Sequence, residues 1–466
     1  MPAYTKPVPN KFKPFPSKLS PPKFAARLFC GCLSASLFVF AQPASAISLV
    51  EAYQLALRHD PGFQGAIHDQ KAGQESQALG LSNLLPNLSL SYNYGQNRGD
   101  TTTSQSQTSS PVSYDSKVLS LSFRQPLYSM DAMARYRQGN SQANYSDAKF
   151  SSSVQDLINR LVTAYLTSLQ NEDQLQLAIA QRDALEENRL SNERSFSKGA
   201  GTKTDMLETQ ARYEMAQAQV VEAQDAVSNA RDALAAMIGT DPGLLDTLDI
   251  EYKALTLNPA QLSEWEKLAL DANADIQAQR FLVEFSEQEV VRNQAGHMPR
   301  LDLVASMNRN QSESLLYKNV DTNINTIGIQ LGVPLYSGGS VNAQTRQAVE
   351  KLGSARAELQ SNIQKTQVEV RKQFNLVQSS LLRIHAMRKA EESALALVEA
   401  TRKSVIGGQR VNLDVLNAYQ QLFTTRRDLA AARYGYLLAF LKLKQAGGLL
   451  RLEDIESINT HFQKNR

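Results

Sequence analysis

The chain has two cysteines in 466 residues, Cys30 and Cys32, and both fall in its first 46 positions. Beyond them no thiol is left, which excludes a disulfide scaffold, a cysteine nucleophile and a cysteine metal cluster from the rest of the chain. Histidine is almost as scarce: His59, His68, His297, His385 and His461 are scattered, and no two stand at metal-ligand spacing. "GAGTKT", around Gly199, lacks the spacing and the preceding strand of a phosphate loop, and there is no Gly-x-Ser-x-Gly elbow. Neither an enzyme nor a bound cofactor is therefore expected. Basic residues form no clustered face outside the N-terminal segment, so nothing points to a nucleic-acid partner.

Proline is missing selectively. Eight of the 16 lie in the first 46 residues, none between Pro126 and Pro242, and none after Pro334. Because proline breaks helix interiors, those gaps are where long helices can run. The N-terminus carries Lys6, Lys11, Lys13, Lys18, Lys23 and Arg27 without an acid, then the apolar run "LFCGCLSASLFVF", then "PASA". That order is a secretory signal peptide, residues 1–46, ending at Ala46, and its apolar run is too short to span a bilayer. Without its six cations the formal net charge of +3 becomes about −3.

What is present is present twice. "LSLSFRQPLYS", ending at Ser129, returns as "IGIQLGVPLYS", ending at Ser337. "EAYQLAL" from Glu51 matches "EWEKLAL" from Glu264, "LLPNLSL" around Pro86 matches "HMPRLDL" around Pro299, and "SKGAGTKTDML" from Ser197 matches "IGGQRVNLDVL" from Ile406. Four correspondences in one order argue for a tandem duplication, with a period too long for a solenoid. The first repeat covers 47–257 (a helix, a strand pair at 86–128, a helical hairpin at 131–239). The second covers 258–466 (a helix, a strand pair at 299–336, a hairpin at 342–446 and a tail at 447–466).

Leu88, Leu90, Tyr92 and Tyr94 alternate with Ser89, Ser91 and Asn93; Leu119, Leu121 and Phe123 with Ser120, Ser122 and Arg124; Leu301, Leu303, Ala305 and Met307 with Asp302, Val304, Ser306 and Asn308; and Ile327, Ile329, Leu331 and Val333 with Gly328, Gln330, Gly332 and Pro334. Period-two alternation marks strands with one apolar face. The polar segments 95–115 and 310–323 read as solvated loops. In an exported chain, strands of about ten residues have the length that crosses a bilayer when tilted, apolar side outward, and Tyr92, Tyr94, Tyr128 and Tyr336 suit interfacial belts. Four strands cannot close a barrel and lipid forbids open edges. Three copies would supply about twelve strands and leave a lumen, so a homotrimer with a pore is the economical answer.

Ala, Gln, Leu, Glu, Lys and Arg dominate from Asp131 to Ser197 and from Asn342 to Val405, giving two rods of roughly 90–100 Å. Each meets a glycine-bearing turn (Gly199 and Gly201; Gly407 and Gly408), after which a second helix returns. In the last helix Val415, Leu422, Leu429 and Tyr436 recur every seven residues, each followed three places on by Ala418, Thr425, Ala432 or Ala439. A seven-residue seam of this kind implies left-handed supercoiling against a neighbour.

Strand pair, "PLYS", long helix, glycine turn and "TDMLETQARY", all repeated and ending in "VNLDVLNAYQQLFTTRRDLAAARYGYLLAFLKLKQAGGLL", resembles the TolC family of outer-membrane efflux and secretion channels from about Ser48 to Leu450. The resemblance implies a mainly α protein with transmembrane β structure. Its trimer would have a twelve-stranded outer-membrane barrel, a long periplasmic coiled-coil barrel, and a mixed α/β equator near 240–262 and the tail. It also implies partners: a periplasmic adaptor and an inner-membrane ABC or proton-driven transporter, which supplies the energy for a passive duct. For the periplasmic gate it implies Arg410 linked to Asp205, Asp414 in an aspartate ring, and Asn417 where a second ring aspartate would stand, which leaves about three carboxylates per trimer and weaker cation attraction. A trimeric surface fibre with a coiled-coil stalk and a soluble periplasmic scaffold are the alternatives; the first predicts one terminal anchor, the second extraction without detergent.

Overall fold

A computed structural model of the chain describes residues 47–102, 109–199, 201–249, 257–312, 320–460 and 462–463; the signal-peptide segment lies outside them. Two short helices, α1 (Leu49–His59) and α2 (Pro61–Ser82), lead into strands β1 (Asn87–Thr102) and β2 (Ser109–Tyr128). The long α3 (Met130–Ser197) and α4 (Lys203–Ile238) follow, then the short β3 (Thr247–Leu248). The sequence of elements then recurs: α5 (Leu262–Ala272), α6 (Ala274–Gln294), β4 (Arg300–Ser312), β5 (Val320–Gly332), α7 (Ser340–Ile406) and α8 (Asn412–Ala446), closed by α9 (Leu452–Asn459) and β6 (Phe462–Gln463). α1 and α5 have 11 residues each, and α3 and α7 have 68 and 67, or about 100 Å at 1.5 Å per residue.

Local chemistry sets these boundaries. Ser48 and Glu51 form a capping box on α1. At the head of α2, Asp60 accepts the amide of Phe63 at 2.7 Å, and at the equivalent head of α6 Asn273 accepts the amides of Asp275 and Ile276. α2 and α3 cross so closely that a Cβ on Gly139 would lie 2.3 Å from the Ser76 carbonyl oxygen and one on Gly80 2.9 Å from the Arg135 carbonyl oxygen. Only glycine fits there.

The main core sits at the equator, where Leu157, Leu161, Tyr165, Trp265, Tyr436 and Leu441 are buried against side chains of α1 and α9. Tyr165 donates its hydroxyl to the Ile47 carbonyl at 2.9 Å and accepts the Asp246 amide at 3.1 Å, so one side chain ties the segment before α1 to the segment before β3, which itself pairs with β6. Burial holds its phenol well above the ordinary tyrosine range. Along α8 all eight residues of the seven-residue seam are buried, and α8 packs chiefly on α7.

The four long strands form one antiparallel sheet in the order β1-β2-β4-β5. Direct pairs share a face. Leu90↔Leu121, Leu121↔Met307 and Ala305↔Ile327 therefore place the apolar residues of all four strands on one side. The other side carries Ser89, Ser122, Ser120 and Asn308, bonded as Ser89–Ser122 at 2.6 Å and Ser120–Asn308 at 2.5 Å. Leu90 and Ile327 stand 68% and 79% exposed in the single chain, a face that water alone would not leave open.

The structure corrects two expectations. β5 ends at Gly332, so Val333 and Tyr336 lie beyond the strand read as far as 336; Pro334, which has no amide to give a ladder, follows directly. The polar segments read as loops are strand in large part: Gly95–Thr102 pairs with Ser109–Ser116, and Asn310–Ser312 with Val320–Thr322. A hairpin wet on both faces needs no apolar alternation, and it gains instead from bonds between polar side chains such as Asn97 to Ser116 at 3.1 Å and Gln311 to Asp321 at 2.9 Å. Tyr92 and Tyr94 thus mark the end of the apolar band, not the end of the strand. The remaining loop residues, 103–108 and 313–319, lie outside the described residues.

Candidate functional site

The two helical hairpins end side by side. Arg402 of α7 reaches Glu187 of α3 at 3.3 Å, Gln181 of α3 donates to Gln420 of α8 at 3.1 Å, and Arg212 of α4 donates to Asn417 of α8 at 3.1 Å. Beneath these contacts Leu185, Ala216 and Leu416 form a small apolar cluster with Tyr213, over whose ring Arg189 sits at 5.3 Å. The two turns are built alike. Gly199 (φ 73°) and Gly408 (φ 72°) take the left-handed conformation that ends each long helix, and their amides donate to the carbonyls of Phe196 at 2.9 Å and Val405 at 3.0 Å. Gly407 is an ordinary cap residue with φ −77°, and Gly201 does not take the left-handed conformation.

Beyond the turns the repeats diverge. Thr202 caps α4: its hydroxyl accepts the Asp205 amide at 3.1 Å and donates to the Asp205 carboxylate at 2.6 Å. Val411 occupies the equivalent place before α8 and offers no side-chain cap, so Asp414 stands in the first turn with no such hydroxyl. Arg410 is exposed and, among the described residues of the single chain, makes no ion pair with Asp205. Asn417 is held from within its own protomer by Arg212, which also pairs with Glu208 at 3.2 Å. Sequence reasoning missed that contact, because nothing in the spacing relates Arg212 to a residue 205 positions later. Ile406 and Val411 project from the second tip, 82% and 62% exposed.

At the opposite end of the long helices, where the sheet begins, a second charged group gathers. Asp302, almost fully buried, receives Arg300 at 2.9 Å and faces Arg124 at 3.8 Å. "SFRQP" and "PRLDL" carried these charges on the polar parity of their strands, and that was the signal available.

No described helix is long and apolar enough to cross a membrane, and no cluster of three His, Cys, Asp or Glu among the described residues could hold a metal ion. The apolar face of the sheet is a membrane-compatible surface, and the chemistry at the tips is charge and helix packing.

Comparison with known proteins agrees. Residues 52–240 and 265–449 each match the family described as outer membrane efflux protein, one match per set of recurring elements. The alkaline protease secretion protein AprF of Pseudomonas aeruginosa is 39% identical over 440 residues, covering 94% of this chain and 92% of that protein. The proteases secretion protein PrtF of Dickeya chrysanthemi is 38% identical over 427 residues, covering 90% and 92%. The crystal structure of the outer membrane protein VceC from Vibrio cholerae superposes with a TM-score of 0.73 at 21% identity, over 86% of this chain and 96% of that one, and so shares the fold. Such proteins are non-enzymatic outer-membrane channels of tripartite export systems, and the family implies a trimer working with transport partners. This chain belongs to the outer membrane efflux protein family, the family of the TolC channels.

Proposed function

We propose that this protein is the outer-membrane exit duct of a type I protein-secretion system whose cargo includes a secreted protease. The observation that carries the reading is the similarity, at 39% and 38% identity across nine tenths or more of the chain, to two proteins that bear protease secretion in their names. Residues 1–46 direct export and are removed, and the mature chain is two repeats, 47–257 and 258–466. Three copies join their sheets edge to edge, β1 of one against β5 of the next, into a twelve-stranded barrel with the apolar face toward lipid. Their long helices form the periplasmic tunnel. A periplasmic adaptor and an inner-membrane ABC transporter complete the path, the transporter supplying the energy. Arg410 and Asp205 form the closing link, and Asp414 rings the mouth alone because Asn417 is neutral and engaged by Arg212.

The test is complementation. A Pseudomonas aeruginosa strain lacking AprF, supplied with this chain, should recover protease activity in the culture medium. Medium activity that stays at the deletion level, while the outer-membrane fraction holds the chain as a trimer, overturns the protein-secretion reading.

A further inference from the structure

The sheet's polar face, which becomes the lumen wall if the apolar face meets lipid, carries Ser, Asn, Gln, Thr and Gly with Val118, Val304 and Ile324 through its middle, and no charged residue among those described there. Its charges collect at the helix-proximal end. Arg124 stands opposite Asn87 near the end of β2, and Arg300 stands opposite Gly332 at the start of β4. Both lie on that face together with Asp302, which stands opposite Pro126 of β2 and Gln330 of β5. The two guanidinium side chains are about half exposed, at 52% and 49%, whereas the Asp302 side chain is 5% exposed.

This arrangement has an electrostatic remainder. One buried carboxylate serves two arginines, and among the described residues neither arginine has a second acidic partner. Arg300 lines a cleft of about 730 Å³ between the base of the sheet and the start of α3, with Asp131, Arg135 and Arg292 also on its walls. Those others cancel: Arg135 pairs with Asp131 at 2.8 Å, and Arg292 with Glu289 at 2.5 Å. The group therefore carries one net positive charge per chain, with the arginine heads in water and their common anchor out of it.

We propose that Arg124 and Arg300, anchored on Asp302, form with their copies in the trimer a cationic collar in the lumen at the neck of the barrel, which concentrates anions and anionic segments of cargo on their way out. The proposal rests on the trimeric-channel reading. It supplies an anion-favouring element in series with the carboxylate ring at the helical tips. Three like charges around one water-filled constriction, each about a Debye length from its axis, change the local ratio of cations to anions by roughly twofold to fourfold.

The experiment is the reversal potential of purified trimers in planar bilayers under a potassium chloride gradient. The Arg124→Gln/Arg300→Gln double variant should raise the ratio of potassium to chloride permeability roughly twofold or more relative to wild type. A ratio that does not change, in channels of normal conductance, overturns the collar. Should that variant not assemble, Arg300→Cys serves instead, since the chain's own cysteines, Cys30 and Cys32, lie in the leader. Its modification by a negatively charged thiosulfonate should shift the channel toward cations, and indifference to the reagent overturns the proposal. Wild-type trimers that never conduct would overturn the channel reading itself, a result distinct from both.

Discussion

Asp60→Asn separates charge from shape at the first joint of the molecule. Asp60 is 3% exposed; it caps α2 through the Phe63 amide and takes Arg160 of α3 in a two-pronged contact at 3.0 and 3.3 Å. Asparagine caps as well as aspartate, so the loss is confined to the contact with Arg160. Breaking a fully buried pair costs about 3–5 kcal/mol. Arg160, however, is 41% exposed and keeps Asp156 at 2.7 Å, so solvent and the second carboxylate reduce the cost to about 2 kcal/mol. Burial raises the Asp60 carboxyl, but the hydrogen bonds from Arg160 and the Phe63 amide outweigh it and leave the group below the usual carboxylate range. A carboxyl depressed in the folded state contributes its full stability above the unfolded value, near 4, and loses it as pH falls through the folded value. Thermal melts of detergent-solubilised protein followed by circular dichroism should place the variant a few degrees below wild type from pH 8 to about 5, with the gap closing below about pH 4. A gap that persists unchanged at pH 3, or none at pH 7, would refute the assignment to charge. The reciprocal change, Asn273→Asp, should also destabilise: the Asn273 amide donates to the Ala446 carbonyl at 3.1 Å, and a carboxylate there would set oxygen against oxygen.

Arg410→Ala should raise single-channel conductance in planar bilayers, and unchanged conductance would remove Arg410 from the closing link. Gly139→Ala should lower the melting temperature, because the conflict at 2.3 Å is with backbone and overpacking of about 1–3 kcal/mol exceeds the helix-propensity gain of under about 1 kcal/mol; Gly353→Ala, with open space around it, should raise it. Tyr434→Phe removes the 2.7 Å bond from a buried hydroxyl of α8 to Asp173 of α3 and should cost about 1–2 kcal/mol in the same melts, a wild-type melting point being the contrary result.

The helices were legible because their signals are local. Good helix formers between widely spaced prolines and glycines at the turns gave α3 and α7 to within one or two residues, and the seven-residue seam marked the buried face of α8. Strand parity was legible for the same reason. Strand length was not: the ribbon beyond Tyr94 is held by pairing with Ser109–Ser116, and pairing between polar residues leaves no periodic trace in the sequence. Site residues divided similarly. Gly199 and Gly408 follow from the chirality of a helix end, which a sequence shows directly. The contact of Arg212 with Asn417, and that of Arg124 with Asp302, depend on which elements lie side by side, and duplication does not supply that, because each contact joins unlike positions of the two repeats.

That inequality bears on why the trimer that the family implies would have sixfold architecture but only threefold chemistry. The recurring elements give each protomer two strand pairs and two hairpins of nearly equal length, so that six similar units can close one barrel and one tunnel. Closure is obligatory in lipid, since the outer edges of β1 and β5 would otherwise leave a row of amides and carbonyls costing several kcal/mol each. The two sets of elements match in order and nearly in length, whereas their ends do not match in chemistry. Thr202 caps one tip and Val411 leaves the other uncapped, and Arg124 and Arg300 share one Asp302. Opening motions should therefore begin at the second tip, where the helix start lacks its side-chain acceptor and Ile406 and Val411 face water, while the first tip, capped by Thr202, moves less. Hydrogen exchange of the trimer decides it: faster exchange at 407–414 than at 199–205 is the expected order, and equal rates would sink the distinction.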